Sequence, residues 1–315
     1  MRILVFGAGA IGSAFGGFLS RKNEVTLLGR KWHLNPIRRK GLKITGIWGK
    51  HVFRKFAALY TDGKDLIREK PEFDYILITT KATDTAHAAK IVSKITTPDT
   101  HVISLQNGLG NIETLQKHIP LEKIIAARVI FGVELGKGSI EVTVYGDKTL
   151  LGGADSKKGL IAAQKLAGIF NECGLKTEAV RDINPFIWAK VIYNSALNPL
   201  ATILQSTYGD LLKTNETKFI MREITKEIYA VATKKKIKMI PRTPKSYETL
   251  LFGTLIPRTA AHHPSMLQAI RRGEKTEINS LNGAIVNMGK AFGVPTPVNE
   301  ILTRIIKAKE KLRLG

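Results

Sequence analysis

The chain is poor in the residues that staple small folds or hold metals. Its one cysteine, Cys173 in FNECGLKTEA, has no partner, which excludes disulfides and cysteine-based metal sites. Its seven histidines give no ligand pair at helical spacing, and the one close pair, His262 and His263, is adjacent, so the two rings would point apart on a helix. No apolar run approaches the roughly 20 residues that span a bilayer. The N-terminal MRILVFGAGAIG is too short and too interrupted by glycine for a signal peptide, which makes the cytoplasm the expected location. Internal repeats and low-complexity linkers are also missing.

Acidic side chains are scarce as well, 26 against 49 basic ones, for a formal charge of +23. Such an excess raises nucleic acid or a membrane surface as a partner. The basic residues are scattered, however, with only short clusters at 38–40 and 233–238. Dispersed charge lacks the stripe of an electrostatic footprint, so an anionic small molecule is the expected partner, with neither nucleic acid nor membrane.

What is present divides the chain in two. At 315 residues it exceeds the size at which single cores stop growing. In the first part, RILVF, EVTLLG, DYILITT, HVISLQNG and KIIAARVIFG read as buried strands alternating with helical segments. That alternation predicts an α/β, doubly wound parallel sheet covered by helices. Near its end, GSIEVTVYGDKTLLGG reads as a hairpin, SKKGLIAAQKLAGIFNE as a helix and LKTEAV as a last strand. From 182 onward only helical patterns follow: the opening stretch, then roughly 215–235, 244–256, 264–272, 276–292 and 297–312. The expected domains are 1–181 and an all-helical 182–315.

GAGAIG, residues 7–12, follows RILVF directly and opens a helix. Gly7 permits a tight turn, Gly9 lets backbone approach a pyrophosphate, and Gly12 lets the helix pack on the strand, so Gly7, Ala8, Gly9, Ala10, Ile11 and Gly12 are candidates for dinucleotide binding. At the end of the second strand an acid would hold the ribose hydroxyls of NAD, but EVTLLGRKWH carries Arg30 and Lys31 there. A cation suits a 2′-phosphate and favours NADP (NADPH); if Arg30 only stacks on adenine or stays in solvent, NAD would serve too. Lys81 follows DYILITT at a strand's C-terminal end, and Gln106-Asn107-Gly108 ends the next strand at the same edge.

WAKVIYNSALNPLATI, residues 188–203, is less easily explained. Trp188, Val191, Ile192, Leu197 and Leu200 have core-helix spacing, yet Lys190, Asn194 and Asn198 recur every fourth residue. Four residues overshoot one turn by about 40°, so a lysine and two amides share one narrow face.

These residues resemble the ketopantoate reductase (2-dehydropantoate 2-reductase) family along essentially the whole chain. The resemblance rests on GAGAIG, KA at 81–82, QNGLGN at 106–111, WAKVIYNSALNPLATI, SMLQAIRRGEKTEINSLNG at 265–283 and the late VPTP. It implies a Rossmann-type domain followed by a helical substrate domain, and hydride transfer from NADPH to ketopantoate in pantothenate and coenzyme A biosynthesis. Lys190 would be the general acid at the ketone, and Glu277 the second catalytic group, binding the terminal hydroxyl. Asn107, Asn194, Asn198 and Ser265 would bind substrate, and Lys81, Asn107 and Glu277 would join the glycine loop and Arg30 around the cofactor. A homodimer is the expected assembly. Tyr208 in STYGD and His262 depart from the family's usual asparagines, at what the resemblance implies is the pocket rim. Two alternatives stay open: a paralogous reductase of another small 2-oxo acid, and a non-catalytic nucleotide sensor.

Overall fold

The computed structural model describes residues 1–154 and 159–314. The chain forms two compact units, Met1–Gln106 with Asn111–Ile183, and Asn107–Gly110 with Asn184–Gly315. Four residues that follow a strand of the first unit thus belong to the helical one.

The first unit is built on strands β1 (Arg2–Phe6), β2 (Glu24–Leu28), β3 (Leu42–Gly46), β4 (His51–Phe53), β5 (Ala58–Tyr60), β6 (Tyr75–Ile78), β7 (His101–Ser104), β8 (Ile124–Gly136), β9 (Ser139–Gly153) and β10 (Thr177–Ala179). Six of them run parallel in the order β5-β2-β1-β6-β7-β8. This is the doubly wound dinucleotide-binding order, with the chain switching direction across the sheet beside β1. Alternate residues serve opposite faces. Ile3, Val5, Leu27, Leu77 and Ile103 pack with Phe15 of α1 (Ala10–Leu19). Leu4, Phe6, Leu28, Ile76, Ile78 and Val102 pack on the other face with Leu66, Ala88, Ile91 and Leu115. Both faces being covered, β1 from Ile3 to Phe6 and β6 throughout can be apolar, each buried side chain contributing about 1.5–3 kcal/mol.

Beyond β8 the sheet becomes mixed. The stretch expected as a hairpin, 138–153, is instead one long strand over 139–153: β9 returns antiparallel on β8 with register shifts between Arg128 and Val133. Strands β3 and β10 then pair with β9 in parallel, and β4 pairs antiparallel with β3. The short β3 to β5, carrying Lys43, Thr45 and His51, have little apolar signal of their own and form because neighbouring strands offer unpaired backbone groups. Further helices of this unit are α2 (Lys31–Lys40), α3 (Gly63–Glu69), α4 (Thr85–Val92), α5 (Asn111–Leu115) and α6 (Gly159–Glu172). The first residues of the expected helix before α6, 156–158, lie outside the described residues.

The second unit comprises α7 (Asn184–Leu204), α8 (Asn215–Lys234), α9 (Pro244–Leu250), α10 (Ile256–Arg258), α11 (Ser265–Arg271), α12 (Asn282–Phe292) and α13 (Pro297–Leu314), with a π-helical turn at Leu251–Leu255. Its core gathers Trp188, Ile192, Leu197, Met221, Ile228, Tyr247 and Ile285. The expected helix over 276–292 is interrupted: a 3-10 turn, Ile278–Ser280, precedes α12, so Glu277 caps that turn and does not sit in the first turn of a helix. Among the described residues, no helix is long and apolar enough to cross a membrane.

One buried histidine ties the first unit's helices together. His33 in α2 is 1% exposed; its Nδ1–H donates to the Gly136 carbonyl at 2.8 Å, and its Nε2 accepts from Ser13 Oγ of α1 at 2.9 Å. The Gly138 N–H also approaches Nδ1, at 3.3 Å, but the shorter contact to the carbonyl sets the tautomer. Burial lowers the His33 pKa below its ordinary 6.5, opposed by the Gly136 contact. The unfolded chain therefore takes up a proton before the folded one as pH falls. Stability from this site is full above the unfolded value near 6.5 and is lost below it. The gap in melting temperature between the native chain and His33→Gln should therefore narrow from pH 7 to pH 5, as followed by circular dichroism.

Candidate active site

In the first unit, Gly7 follows β1 at φ +114, with its N–H bonded to the Leu28 carbonyl at 3.0 Å. A Cβ on Gly7 would meet the Thr80 backbone nitrogen at 2.7 Å, and one on Gly12 the Gly7 carbonyl at 2.3 Å, so side chains are excluded at both. Gly9 caps α1, and a Cβ there would meet nothing closer than 3.9 Å, leaving that side of the loop open to a phosphate. The first turn of α1 carries no acid, and its N–H groups lie at the positive end of the helix. Ala8 is buried beside the turn, while Ala10 and Ile11 begin the helix half-buried. The residues thus fit a dinucleotide pyrophosphate.

Arg30 caps α2 from outside, exposed, with Lys31 after it, and the first turn of α2 is also free of acids. Lys81 follows β6 half-buried and caps the 3-10 turn Ala82–Asp84. Gln106 fastens that edge: its Nε2 donates to the Thr80 carbonyl at 3.0 Å and to Thr85 Oγ1 at 2.8 Å.

The helical unit assembles the other candidates around α7. Trp188, Val191, Ile192, Leu197 and Leu200 are buried, whereas Lys190 and Asn194 are half-buried on the adjoining face. Lys190 Nζ donates to Asn107 Oδ1 at 2.6 Å, and Asn107 Nδ2 donates to Glu277 Oε2 at 3.2 Å. Ammonium, amide and carboxylate form a hydrogen-bonded chain whose members are far apart in sequence. Ser265, by contrast, opens α11 exposed, with Pro264 in the capping position, and no hydrogen bond joins it to that chain.

Three supports were not anticipated. Residues 107–110 are pinned to the turn after Glu277: Leu109 N–H donates to the Ser280 carbonyl at 2.8 Å, and Ser280 Oγ donates to the Glu277 carbonyl at 3.0 Å. Gly108, at φ +83, passes so close that a Cβ would lie 2.4 Å from the Ser280 oxygen. Second, Pro199 inside α7 has no N–H for the Ser195 carbonyl; Asn282 Nδ2 supplies it at 3.0 Å. Asn282 is itself held by Asn299, and Asn299 by Glu227, which also accepts the Val298 N–H at the start of α13. A proline within a helical pattern signals such an orphan carbonyl, but nothing in the sequence names its partner. Third, Tyr208 is 4% exposed, hence buried and not at a rim, and its hydroxyl donates to Asn198 Oδ1 at 2.5 Å.

A doubly wound sheet with a phosphate-accepting glycine loop, joined in one chain to a helical unit carrying a lysine, an amide and a carboxylate, is the build of a nicotinamide-dependent oxidoreductase. The chain belongs to the ketopantoate reductase PanE/ApbA family, whose N-terminal model matches residues 3–155 and whose C-terminal model matches 182–310. It is 38% identical to the 2-dehydropantoate 2-reductase of Aquifex aeolicus, over 100% of this chain and 98% of that one. To the 2-dehydropantoate 2-reductase of Pyrococcus horikoshii it is 34% identical, over 100% and 99%. Among solved structures, it resembles a PanE/ApbA family ketopantoate reductase from Ralstonia eutropha (TM-score 0.87, 28% identity, all of both chains). It also resembles a D-mandelate dehydrogenase with NADH and anilino(oxo)acetate (TM-score 0.88, 29% identity, 99% of each).

The close passage of Gly108 over Ser280 gives a test of the loop. In Gly108→Ala, the left-handed conformation costs about 1–2 kcal/mol and the methyl lifts Asn107 away from Lys190. The melting temperature should drop and reductase turnover fall at least tenfold; unchanged turnover would release the loop from its part in the site.

Proposed function

We propose that this chain reduces 2-dehydropantoate (ketopantoate) to pantoate with NADPH, in the cytoplasm, toward pantothenate and coenzyme A. The observation that carries the reading is the chain from Lys190 through Asn107 to Glu277. Likeness to reductases of this name over the full length supports it.

A bound nicotinamide dinucleotide supplies a hydride to the substrate's ketone carbon. As charge develops on the ketone oxygen, the Lys190 ammonium stabilises it and gives up a proton from Nζ. Asn107 holds that ammonium by its carbonyl end, which limits where Nζ can point. Its amide end holds Glu277, whose carboxylate accepts the substrate's terminal hydroxyl. Asn194, Asn198 and Ser265 serve the substrate's carboxylate and flanks.

For the cofactor, the acid that would hold the ribose hydroxyls of NAD is replaced by Arg30, beside Lys31 and a helix start without acids. Those charges suit a 2′-phosphate, and the glycine loop suits the pyrophosphate. Lys81, Asn107 and Glu277 complete the proposed cofactor contacts. Arg30→Ala should weaken NADPH binding by about 1.5–3 kcal/mol, the scale of a lost charge-assisted hydrogen bond, and leave NADH nearly unaffected. Fluorescence titration measures both; equal affinity of the native chain for NADPH and NADH would remove Arg30 from cofactor choice.

The likeness to a D-mandelate dehydrogenase favours a second reading, reduction of a bulkier 2-oxo acid. Specificity constants for ketopantoate, 2-oxoisovalerate and phenylglyoxylate separate the two. A carboxylate placed for a hydroxyl forgoes one hydrogen bond when the substrate lacks that group. Ketopantoate should therefore be preferred by the native chain, and its advantage over 2-oxoisovalerate should shrink in Glu277→Ala. A native preference for phenylglyoxylate would establish the second reading.

A further inference from the structure

Asn198 lies two helical turns beyond Lys190 on α7, about 80° further round the helix, and is 5% exposed; its surroundings are aromatic. The Tyr208 ring stands edge-on to Tyr193 at 5.8 Å between centroids, with an interplanar angle of 90°. Its other neighbour is the His262 ring, at 5.2 Å. The segment carrying Tyr208 is fastened from behind: Tyr208 N–H donates to the His262 carbonyl at 3.1 Å, and Gly209 N–H to the Ala260 carbonyl at 2.8 Å. Tyr193 is fixed in turn by its hydroxyl, 2.7 Å from Thr259 Oγ1. Thr207 and Asp210 close the loop, the Asp210 carboxylate accepting from the Thr207 N–H at 2.9 Å and from its hydroxyl at 2.7 Å. The Tyr208 hydroxyl is therefore held in place before any ligand arrives, 2.5 Å from Asn198 Oδ1.

An asparagine amide can turn either end toward a ligand, and the two ends are opposite in character: Oδ1 accepts, Nδ2 donates. At a pocket wall this decides the sign of the wall. An anionic 2-oxo acid needs donors, and an amide oxygen turned toward its carboxylate would repel it. A tyrosine hydroxyl that donates to Oδ1 commits that end and leaves the two N–H groups of Nδ2 for the ligand. Burial raises the Tyr208 pKa well above 10, so the hydroxyl keeps its proton throughout the physiological range.

We propose that Tyr208 is a specificity-determining, positioning residue: it fixes the Asn198 amide with Nδ2 toward the substrate, so that this part of α7 selects a carboxylate and rejects a neutral group. The inference rests on the reading that the Lys190–Asn194–Asn198 face binds the 2-oxo acid. Tyr208 touches no substrate and acts only through Asn198.

A double-mutant cycle on the full chain, with steady-state kinetics on ketopantoate, tests it. Tyr208→Phe keeps the ring and removes only the hydroxyl, freeing the amide to turn. KM should rise about tenfold, the scale of one lost hydrogen bond, with kcat within about twofold and NADPH affinity unchanged. The native preference for the acid over its methyl ester should fall by a similar factor. Asn198→Ala should raise KM at least as much, and Tyr208→Phe added to it should do nothing further, because the hydroxyl then has no amide to orient. Additive effects, or a Tyr208→Phe chain with native KM and native acid-to-ester preference, would overturn the proposal. An Asn198→Ala chain with native KM would instead overturn the reading of the α7 face on which it rests.

Discussion

A lysine on a helix whose neighbouring face is packed into a core needs an acceptor, and in this chain Asn107 provides one. Lys190 Nζ lies 2.6 Å from Asn107 Oδ1, and that contact organises much of the helical unit. It requires the four residues Asn107–Gly110, which follow a strand of the other unit, to belong with the helices. It requires Gly108 to pass over Ser280 without a side chain, and Ser280 to hold the turn that Glu277 caps. The carboxylate and the ammonium thus share a support, although 87 residues separate Lys190 from Glu277 in the chain.

The same helix shows how a polar strip is kept on a core element. A proline in the middle of α7 would leave the Ser195 carbonyl buried without a donor, at a cost of about 1–3 kcal/mol. Asn282 removes that cost, and the sequence of contacts through Asn299 to Glu227 ends by capping α13. Polar groups from α8, α12 and α13 are thereby committed to the geometry of the one helix that carries Lys190, Asn194 and Asn198. The dinucleotide loop is simpler by comparison. Its shape follows from steric exclusion at Gly7 and Gly12, and its charge preference from helix starts without acids.

Several elements were legible because their signal is local. The glycine loop, the apolar runs of β1, β2, β6 and β7, and the helices from Asn215 onward follow from backbone freedom and periodicity within a few residues. The long β8–β9 hairpin with its bulges is not legible locally, since the break in alternation near Gly146 resembles a turn and only the pairing on β8 keeps the chain extended. The interruption before α12 is hidden for a related reason: 276–292 has helical periodicity, and the 3-10 turn there forms where the 107–110 loop must be received.

By itself the sequence determined which residue types face which way: two faces of a buried parallel sheet, a phosphate-accepting loop, a cation where NAD would need an acid, and a lysine with two amides on one stripe of α7. Periodicity and chain sterics suffice for these, because each depends on neighbours a few residues away. Only the tertiary structure decided which polar atoms meet. Asn107 with Lys190 and Glu277, Asn282 with the carbonyl freed by Pro199, and Tyr208 with Asn198 are pairings of short side chains. A hydrogen bond is made only within a few tenths of an ångström of its proper length, and spacing along a chain does not fix distances that finely across a fold.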